Sequence, residues 1–197
     1  QKQYIVDVFV WVDDQLTQPV RPGQKPILKD SELLTILIWD GLTEPHKTLK
    51  SLYRWIERDY ADCFPKLPKY QKFVRHCHRL LPTLVWFLQS ILVSDAPLRF
   101  CDSTMLPVCR TVRADRHKVA RGFAAFGKNH QGWWYGFKLH AAVNLKGQLA
   151  ALCFTPANEY DAQHLEKLVD TTTKIVVGDS HYAASPMRRR LWKKYGI

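Results

Sequence analysis

Two aspartates stand directly after apolar, strand-like runs and are suited to hold a divalent metal together. Asp102 follows Leu98-Arg99-Phe100-Cys101, and Asp179 follows Ile175-Val176-Val177-Gly178. The ends of strands are where α/β sheets expose polar groups to a crevice. Two carboxylates brought there from distant parts of a chain match what a divalent ion needs for phosphodiester chemistry.

The neighbouring residues also allow simpler interpretations of both aspartates. Asp102 could cap a helix, or it could form a salt bridge with Arg99 or Arg110. Asp179 could be an ordinary turn residue after Gly178, since aspartate is common in turns. These alternatives remain open on the sequence alone.

The chain is strongly basic, and its charge lies in the second half. The 197 residues carry a formal net charge of +11. Residues 1–95 contain 13 Lys and Arg against 11 Asp and Glu, whereas residues 96–197 contain 16 against 7. The asymmetry predicts that the second half binds a polyanion, most simply nucleic acid, rather than belonging to a basic protein without such a partner.

Cysteine usage and hydropathy exclude several classes of protein. The five cysteines are odd in number and form no C-x-x-C pair, which predicts reduced thiols in a cytoplasmic protein. The spacing around His76-Cys77-His78 fits no zinc module. The longest apolar stretch, residues 80–93, is too short and too mixed to span a membrane, and no signal peptide is visible. We therefore expect no membrane partner.

Residues 1–93 have the pattern of helices. Asp30 and Thr48 are candidate N-caps, and Pro68 and Pro82 suit the first turns of two further helices. The segment around Pro97 is the expected boundary, because proline disfavours helix at the preceding residue. This predicts an all-helical DNA-binding domain over residues 1–95 and a catalytic core over residues 96–197.

After the boundary the pattern changes to that of strands, followed by alternating helix and strand. Strands are predicted over 98–108, 135–144, 148–155 and 174–177, and helices over 160–169 and 185–195. The resulting order, β-β-β-α-β-α, is that of a ribonuclease-H-like α/β core, in which the first and fourth strands lie side by side. Asp102 and Asp179 would then meet. Asp161, at the start of the first of these helices, is a third candidate catalytic acid, unless it only complements the helix dipole.

Basic residues form two candidate DNA surfaces. The segment between Cys109 and Gly132 combines cations with the aromatic run Trp133-Trp134-Tyr135, and such mixtures bind phosphates and unpaired bases. Its alternative is a solvated loop with buried aromatics. A helix after Pro68 carries a second basic face, which could also be simply solvated. The candidate DNA-binding residues are Arg110, Arg113, Arg116, Lys118, Arg121, Lys128, Lys138, Lys69, Lys72, Arg75 and Arg79.

Four motifs carry a family resemblance that covers nearly the whole chain. Residues 102–109 (DSTMLPVC), 135–140 (YGFKLH), 155–161 (TPANEYD) and 178–182 (GDSHY) resemble, in order, successive motifs of DDE transposases of bacterial insertion sequences. The match is nearest to the insertion-sequence 982 family, whose helical domain is resembled by residues 21–26 (RPGQKP), 30–32 and 64–68.

The resemblance implies a nucleoid-associated bacterial enzyme that binds the inverted repeats of its element and target DNA, self-associates on DNA, and cuts and joins strands with Mg²⁺ or Mn²⁺. Asp102 would bridge two ions and Asp179 would hold one. The third catalytic acid of the family is a glutamate on a helix well after the second aspartate, and no acidic residue follows Asp179 here. We therefore expect a large fragment that binds DNA but cleaves little.

Two other functions are compatible with these residues. One is a non-catalytic, truncated or domesticated derivative that occupies repeat ends. The other is a ribonuclease-H-like nuclease or resolvase that hydrolyses DNA without strand transfer.

Overall fold

The structure is a computed structural model that describes residues 2–16, 27–43, 45–182 and 185–197, without the side chains of residues 181 and 185. Two compact units, Gln1–Ile91 and Leu92–Ile197, make up the chain, and each is described by itself. The domain boundary near Pro97 stays a prediction. The motif at residues 21–26 lies outside the described residues. No helix in the described ranges is long and apolar enough to cross a membrane.

Helices form the described part of the first unit. They are α1 (Lys2–Gln15), α2 (Asp30–Leu42), α3 (Leu49–Asp59), α4 (Tyr70–Arg79) and α5 (Leu81–Ser90). Each helix contributes buried apolar side chains to one core, among them Ile5, Leu33, Ile56, Phe73 and Phe87. The helical pattern of the first half is thereby confirmed.

Asp30 joins three helices instead of capping one. The N-cap of α2 is Lys29, so the prediction of Asp30 as the cap is wrong. The Asp30 carboxylate accepts a hydrogen bond from His76 Nε2 at 2.8 Å and another from the Thr83 hydroxyl at 3.0 Å. A buried carboxylate is tolerated only when such donors compensate its lost hydration. His76 therefore faces α2 rather than the exposed basic side of α4.

The second unit is a mixed sheet with helices. Its elements are β1 (Leu98–Cys109), β2 (Ala125–Asn129), β3 (Gly132–Val143), β4 (Leu149–Pro156), α6 (Asp161–His164), β5 (Ile175–Gly178) and α7 (Ser185–Tyr195). Strand β1 pairs antiparallel with β3 on one side and parallel with β5 on the other. The outer edge of β3 pairs with both β4 and β2. A mixed α/β unit after a helical one is thus confirmed, including the adjacency of the first and last predicted strands.

The two faces of this sheet differ in burial. Cys101, Ala142 and Cys153 point into a core that also contains Leu168 and Leu191. Because side chains alternate along a strand, the neighbouring positions face the other way and are exposed, among them Phe100, Phe154, Ile175 and Val177.

Two elements differ from the sequence prediction. Strand β2 lies in the segment expected to be a loop, and it forms because Gly127 leaves room for the Trp134 ring: a Cβ there would lie 2.6 Å from that ring. The helix expected over 160–169 is only α6 followed by a 3-10 turn, Leu165–Lys167. Just after this turn, Arg99 donates a hydrogen bond to the Leu168 carbonyl at 2.8 Å.

Candidate active site and nucleic-acid surface

The parallel pairing of β1 with β5 brings the two predicted metal ligands to neighbouring positions. Cys101 and Gly178 form the last pair of this ladder, so Asp102 and Asp179 are the next residues on two adjacent strands. Adjacent strands lie about 4.8 Å apart. Both aspartates are exposed. The sheet therefore presents two carboxylates side by side to solvent.

Local contacts hold both aspartates in place. A Cβ at Gly178 would lie 3.2 Å from the Tyr182 ring, so glycine lets that ring pack closely against the end of β5. The Tyr182 amide donates to the Asp179 carbonyl at 3.1 Å and closes the turn. On β1, the Ser103 amide donates to Asp102 Oδ1 at 2.7 Å.

The salt-bridge alternative for Asp102 is wrong. Arg99 is 1% exposed, because it points to the buried face of the sheet. There it pairs with the Asp170 carboxylate and donates to the Leu168 carbonyl. The ion pairs formed within the described ranges do not include Asp102 or Arg110.

Asp161 is engaged by a neighbouring cation. It is the first residue of α6, where an acid is favoured by the helix dipole. Its Oδ1 accepts from Lys138 Nζ at 2.8 Å and lies 3.8 Å from His140 Nδ1. Lys138 also donates to the Glu159 carbonyl at 2.9 Å. Lys138, predicted from the sequence to contact DNA, thus holds the start of α6 against the sheet. Its contact with DNA stays a prediction.

A hydrogen-bonded network lies on the sheet behind the aspartates. His140 is fully buried, with Nδ1 3.2 Å from the Tyr182 hydroxyl and Nε2 3.0 Å from the Thr155 hydroxyl. Burial lowers the pKa of His140, although the Asp161 carboxylate opposes that shift. Burial likewise raises the pKa of the Tyr182 hydroxyl far above its usual range. Both groups are therefore neutral at neutral pH, and they tie the Asp179 turn to β3 and β4.

The segment between β1 and β3 presents its cations to solvent. It contains a 3-10 turn, Thr111–Arg116, and then β2. Every candidate DNA-binding cation of the segment is exposed, namely Arg110, Arg113, Arg116, Lys118, Arg121 and Lys128. Exposed apolar side chains lie among them, including Val119 and Phe123. A surface of this composition can bind phosphates and bases.

The two adjacent tryptophans have different environments. Trp134 is 8% exposed and packs over Gly127. Trp133 is 62% exposed, and Lys128 Nζ lies 5.5 Å from its ring centroid. Strand alternation produces this difference. The core alternative therefore holds for Trp134, whereas Trp133 is open to a ligand.

Comparison with known families assigns the second unit. A family model described as a transposase DDE domain matches residues 94–197, just over half of the chain. The chain belongs to the transposase DDE domain family. No curated protein and no solved structure matches it. The family places the chain in a class of DNA-cleaving enzymes with DNA as the partner.

Transposases with a DDE domain generally use divalent metals. The exposed pair Asp102 and Asp179 fits such an ion, since Mg²⁺ takes one or two protein carboxylates and keeps several waters. Asp161 does not complete a cage: among the described residues, no group of three or more His, Cys, Asp or Glu could hold a metal. Metal binding by these two carboxylates stays a prediction.

In the first unit, α4 displays the second basic surface. Lys69, Lys72, Arg75 and Arg79 are all exposed, while Phe73 on the opposite side is buried. A basic face of this kind is compatible with both DNA binding and simple solvation.

The sequence analysis missed the basic side of α7. Arg188, Arg189 and Lys193 are exposed and line a groove that reaches Asp179. The signal was present in the sequence as the run Arg188-Arg189-Arg190 followed by Lys193-Lys194. The pattern predicts the helix, but it does not show that the charged side of the helix lies beside β5.

Proposed function

We propose that this chain is a DNA transposase, or a large part of one, of the insertion-sequence 982 type. Its DDE domain would have the ribonuclease-H-like fold, and the helical unit would bind the inverted repeats of the element. The enzyme would self-associate on DNA, cleave the element ends and join them to target DNA. The observation that carries the proposal is the parallel pairing of β1 with β5, which places Asp102 beside Asp179 in a DDE domain.

The chain's own residues suit the handling of a DNA strand. Asp102 and Asp179 would hold the divalent ions, which supply activation of the attacking hydroxyl and stabilisation of the leaving oxygen. Because phosphoryl transfer depends almost entirely on positioning and electrostatics, the carboxylates must be fixed. The Ser103 amide holds the Asp102 carboxylate, and the Tyr182 amide holds the backbone carbonyl of Asp179 in a turn. Exposed arginines of the 110–128 segment would hold the phosphates outside this pair.

The test replaces each carboxylate without changing its size. The DNA is a duplex carrying the terminal repeat, read from the sequence that flanks the gene. In the full-length gene product, Asp102→Asn and Asp179→Asn should each reduce metal-dependent cleavage by orders of magnitude while DNA affinity is retained. Asp95→Asn, which removes an exposed acid just before β1, is the control and should cleave normally. Unimpaired cleavage by both site variants would exclude the assignment.

A non-catalytic DNA-binding derivative is the second candidate. It is favoured by the engagement of Asp161 with Lys138, which leaves two rather than three acids for metal. The 197-residue chain would then bind DNA without cutting it, even with Mg²⁺ or Mn²⁺ present. Cleavage by the 197-residue chain at the rate of the full gene product would exclude this candidate.

A further inference from the structure

Helix α7 divides its side chains among three directions. Met187 and Leu191 are buried in the core of the DDE domain. Arg190 and Lys194 point to one carboxylate, with Nη1 and Nζ at 3.8 and 2.5 Å from the two Glu166 oxygens. The remaining side holds the exposed cations Arg188, Arg189 and Lys193. Residues four apart share one face of a helix, so Arg190 and Lys194 face Glu166 together, whereas Arg189 and Lys193 face another way. The cations of α7 are therefore of two kinds, those facing Glu166 and those facing a groove.

The groove runs between α7 and β5, and Asp179 is one of the residues that line it. Its volume is about 880 Å³. Apolar side chains such as Val176 and Leu191 form its floor. The charged and aromatic residues that line it are Lys174, Asp179, Tyr182, Arg188, Arg189, Trp192 and Lys193. Four cations thus line the same groove as one candidate metal ligand, Asp179.

We propose that this groove, here named the α7 groove, binds a DNA strand by its phosphates beside Asp179, whose neighbour on β1 is Asp102. The inference rests on the proposed function and adds the position of the strand. Arginine suits phosphate because its planar guanidinium can donate two parallel hydrogen bonds. From Arg188 to Lys193 the helix rises about 7.5 Å, a length over which one strand of B-DNA carries about two phosphates.

Charge favours DNA over a polypeptide in this groove. Strand β5 pairs only with β1 within the described residues, so its free edge could in principle accept another strand. A partner strand would be recognised through backbone hydrogen bonds and would gain little from four cations. A polyanion gains from each of them through the release of counterions.

Helix α7 offers a matched pair of variants for the test. Arg188→Gln with Lys193→Gln removes one arginine and one lysine from the α7 groove. Arg190→Gln with Lys194→Gln removes the same two types of residue from the side that faces Glu166. Both pairs change the net charge equally, and all four side chains are exposed, so folding should be retained. Circular dichroism and thermal unfolding check this.

The measurement is the salt dependence of DNA binding by the 197-residue chain, without divalent metal. A fluorescein-labelled duplex of random sequence and one of its single strands serve as probes. For the duplex, the groove variant (Arg188→Gln with Lys193→Gln) should have a slope of log Kd against log salt that is shallower than that of the unmodified chain by about 1.8, because two phosphate contacts are lost. The Glu166-side variant should keep the slope of the unmodified chain. Equal slopes for both variants would overturn the proposal.

A crosslinking measurement covers the case of a variant that folds poorly. Benzoylphenylalanine is placed at position 193 or at position 194, one residue apart on α7. Irradiation should join DNA to the chain from position 193 and much less from position 194. Equal yields would overturn the α7 groove while leaving DNA binding intact. If the unmodified chain fails to bind either probe, the proposed function fails instead.

Discussion

At the scale of single residues, the candidate metal ligand Asp179 is connected to buried side chains that hydrogen-bond to one another. His140 and Tyr182 come from distant parts of the chain and are hydrogen-bonded to each other. Tyr182 also closes the turn of Asp179. The backbone position of Asp179 therefore depends on a residue of a buried network. We expect this network to affect cleavage through position rather than through contact with DNA.

Tyr182→Phe tests this dependence. The variant keeps the ring that packs against Gly178 but loses the hydroxyl bonded to His140. Loss of one buried hydrogen bond, which leaves the His140 nitrogen without its partner, should cost about 1–3 kcal/mol of unfolding free energy. Urea denaturation measures that loss. Tyr195→Phe, in the last turn of α7, is the control and should change stability by less. A Tyr182→Phe chain as stable as the unmodified one would contradict the role of the hydroxyl.

The same network predicts a dependence of stability on pH. Burial lowers the pKa of His140 below its ordinary value of 6.5, helped by Lys138 and opposed by Asp161. As the pH falls below 6.5, the unfolded chain therefore binds a proton that the folded chain does not. The free energy of unfolding is then highest above that pH and declines below it.

His140→Gln should reduce this decline, because glutamine does not titrate. His164, Glu159 and Asp161 face the same cluster and are present in both proteins, so the comparison is between the two slopes of unfolding free energy against pH. His130→Gln, at an exposed turn, is the control and should keep the slope of the unmodified chain. Identical slopes in the His140→Gln and unmodified chains would refute the prediction.

At the scale of elements, the features predicted correctly are those that depend on residues close together in sequence, such as helix caps and element bounds. The cap of α3 follows from Thr48, whose hydroxyl accepts from the Ser51 amide at 3.1 Å. Strand β1 and helix α7 have clear patterns and lie within a residue or two of their predicted bounds. The placement of Asp102 beside Asp179 followed from strand order.

The missed features depend on contacts between distant residues. Strand β2 has an unremarkable sequence and exists because Trp134 packs over Gly127. After the shortened α6, the Leu168 carbonyl is held by Arg99, which is far away in sequence. The hydrogen bond from Lys138 to Asp161 could not be predicted either, because it depends on the position of β3 in the sheet. Side-chain partners across a sheet are set by tertiary structure, and periodicity does not encode them.

Gly136 is the glycine on which the sheet depends most. It lies opposite Pro107, where the register of β1 and β3 shifts. A Cβ there would lie 2.2 Å from the Leu106 carbonyl oxygen, which is backbone and cannot rotate away. Gly136→Ala should therefore lower the free energy of unfolding of the DDE domain by about 1–3 kcal/mol.

Gly41→Ala is the matched control for Gly136→Ala. Gly41 lies in α2 with nothing within 4 Å of a Cβ. Alanine there should stabilise the chain by up to about 1 kcal/mol, because it reduces the entropy of the unfolded chain. Thermal unfolding should thus move in opposite directions for the two substitutions. A shift of the same sign in both would contradict the close approach at Gly136.

At the scale of the whole molecule, charge is distributed to match the chemistry. Residues 96–197 hold 16 Lys and Arg against 7 Asp and Glu, and the two candidate metal ligands are among these few acids. Ten of these 16 cations occupy two separate places in the DDE domain: six lie in the segment from Arg110 to Lys128, and four line the α7 groove. We infer that the segment contributes general affinity for DNA, whereas the α7 groove aligns one strand with the carboxylates.

The final prediction concerns this division of charge. Replacing Arg113, Arg116 and Arg121 together with Gln should make the slope of log Kd against log salt shallower by about 2.7 for duplex DNA, since each neutralised phosphate contributes about 0.9. The control replaces three exposed lysines outside both surfaces, Lys47, Lys66 and Lys146, and has the same net charge. It should retain nearly the full slope, because counterion release depends on contacts with phosphate rather than on total charge. If both triple variants flatten the slope equally, the chain binds DNA through its overall charge, and the segment from Arg110 to Lys128 is a solvated surface.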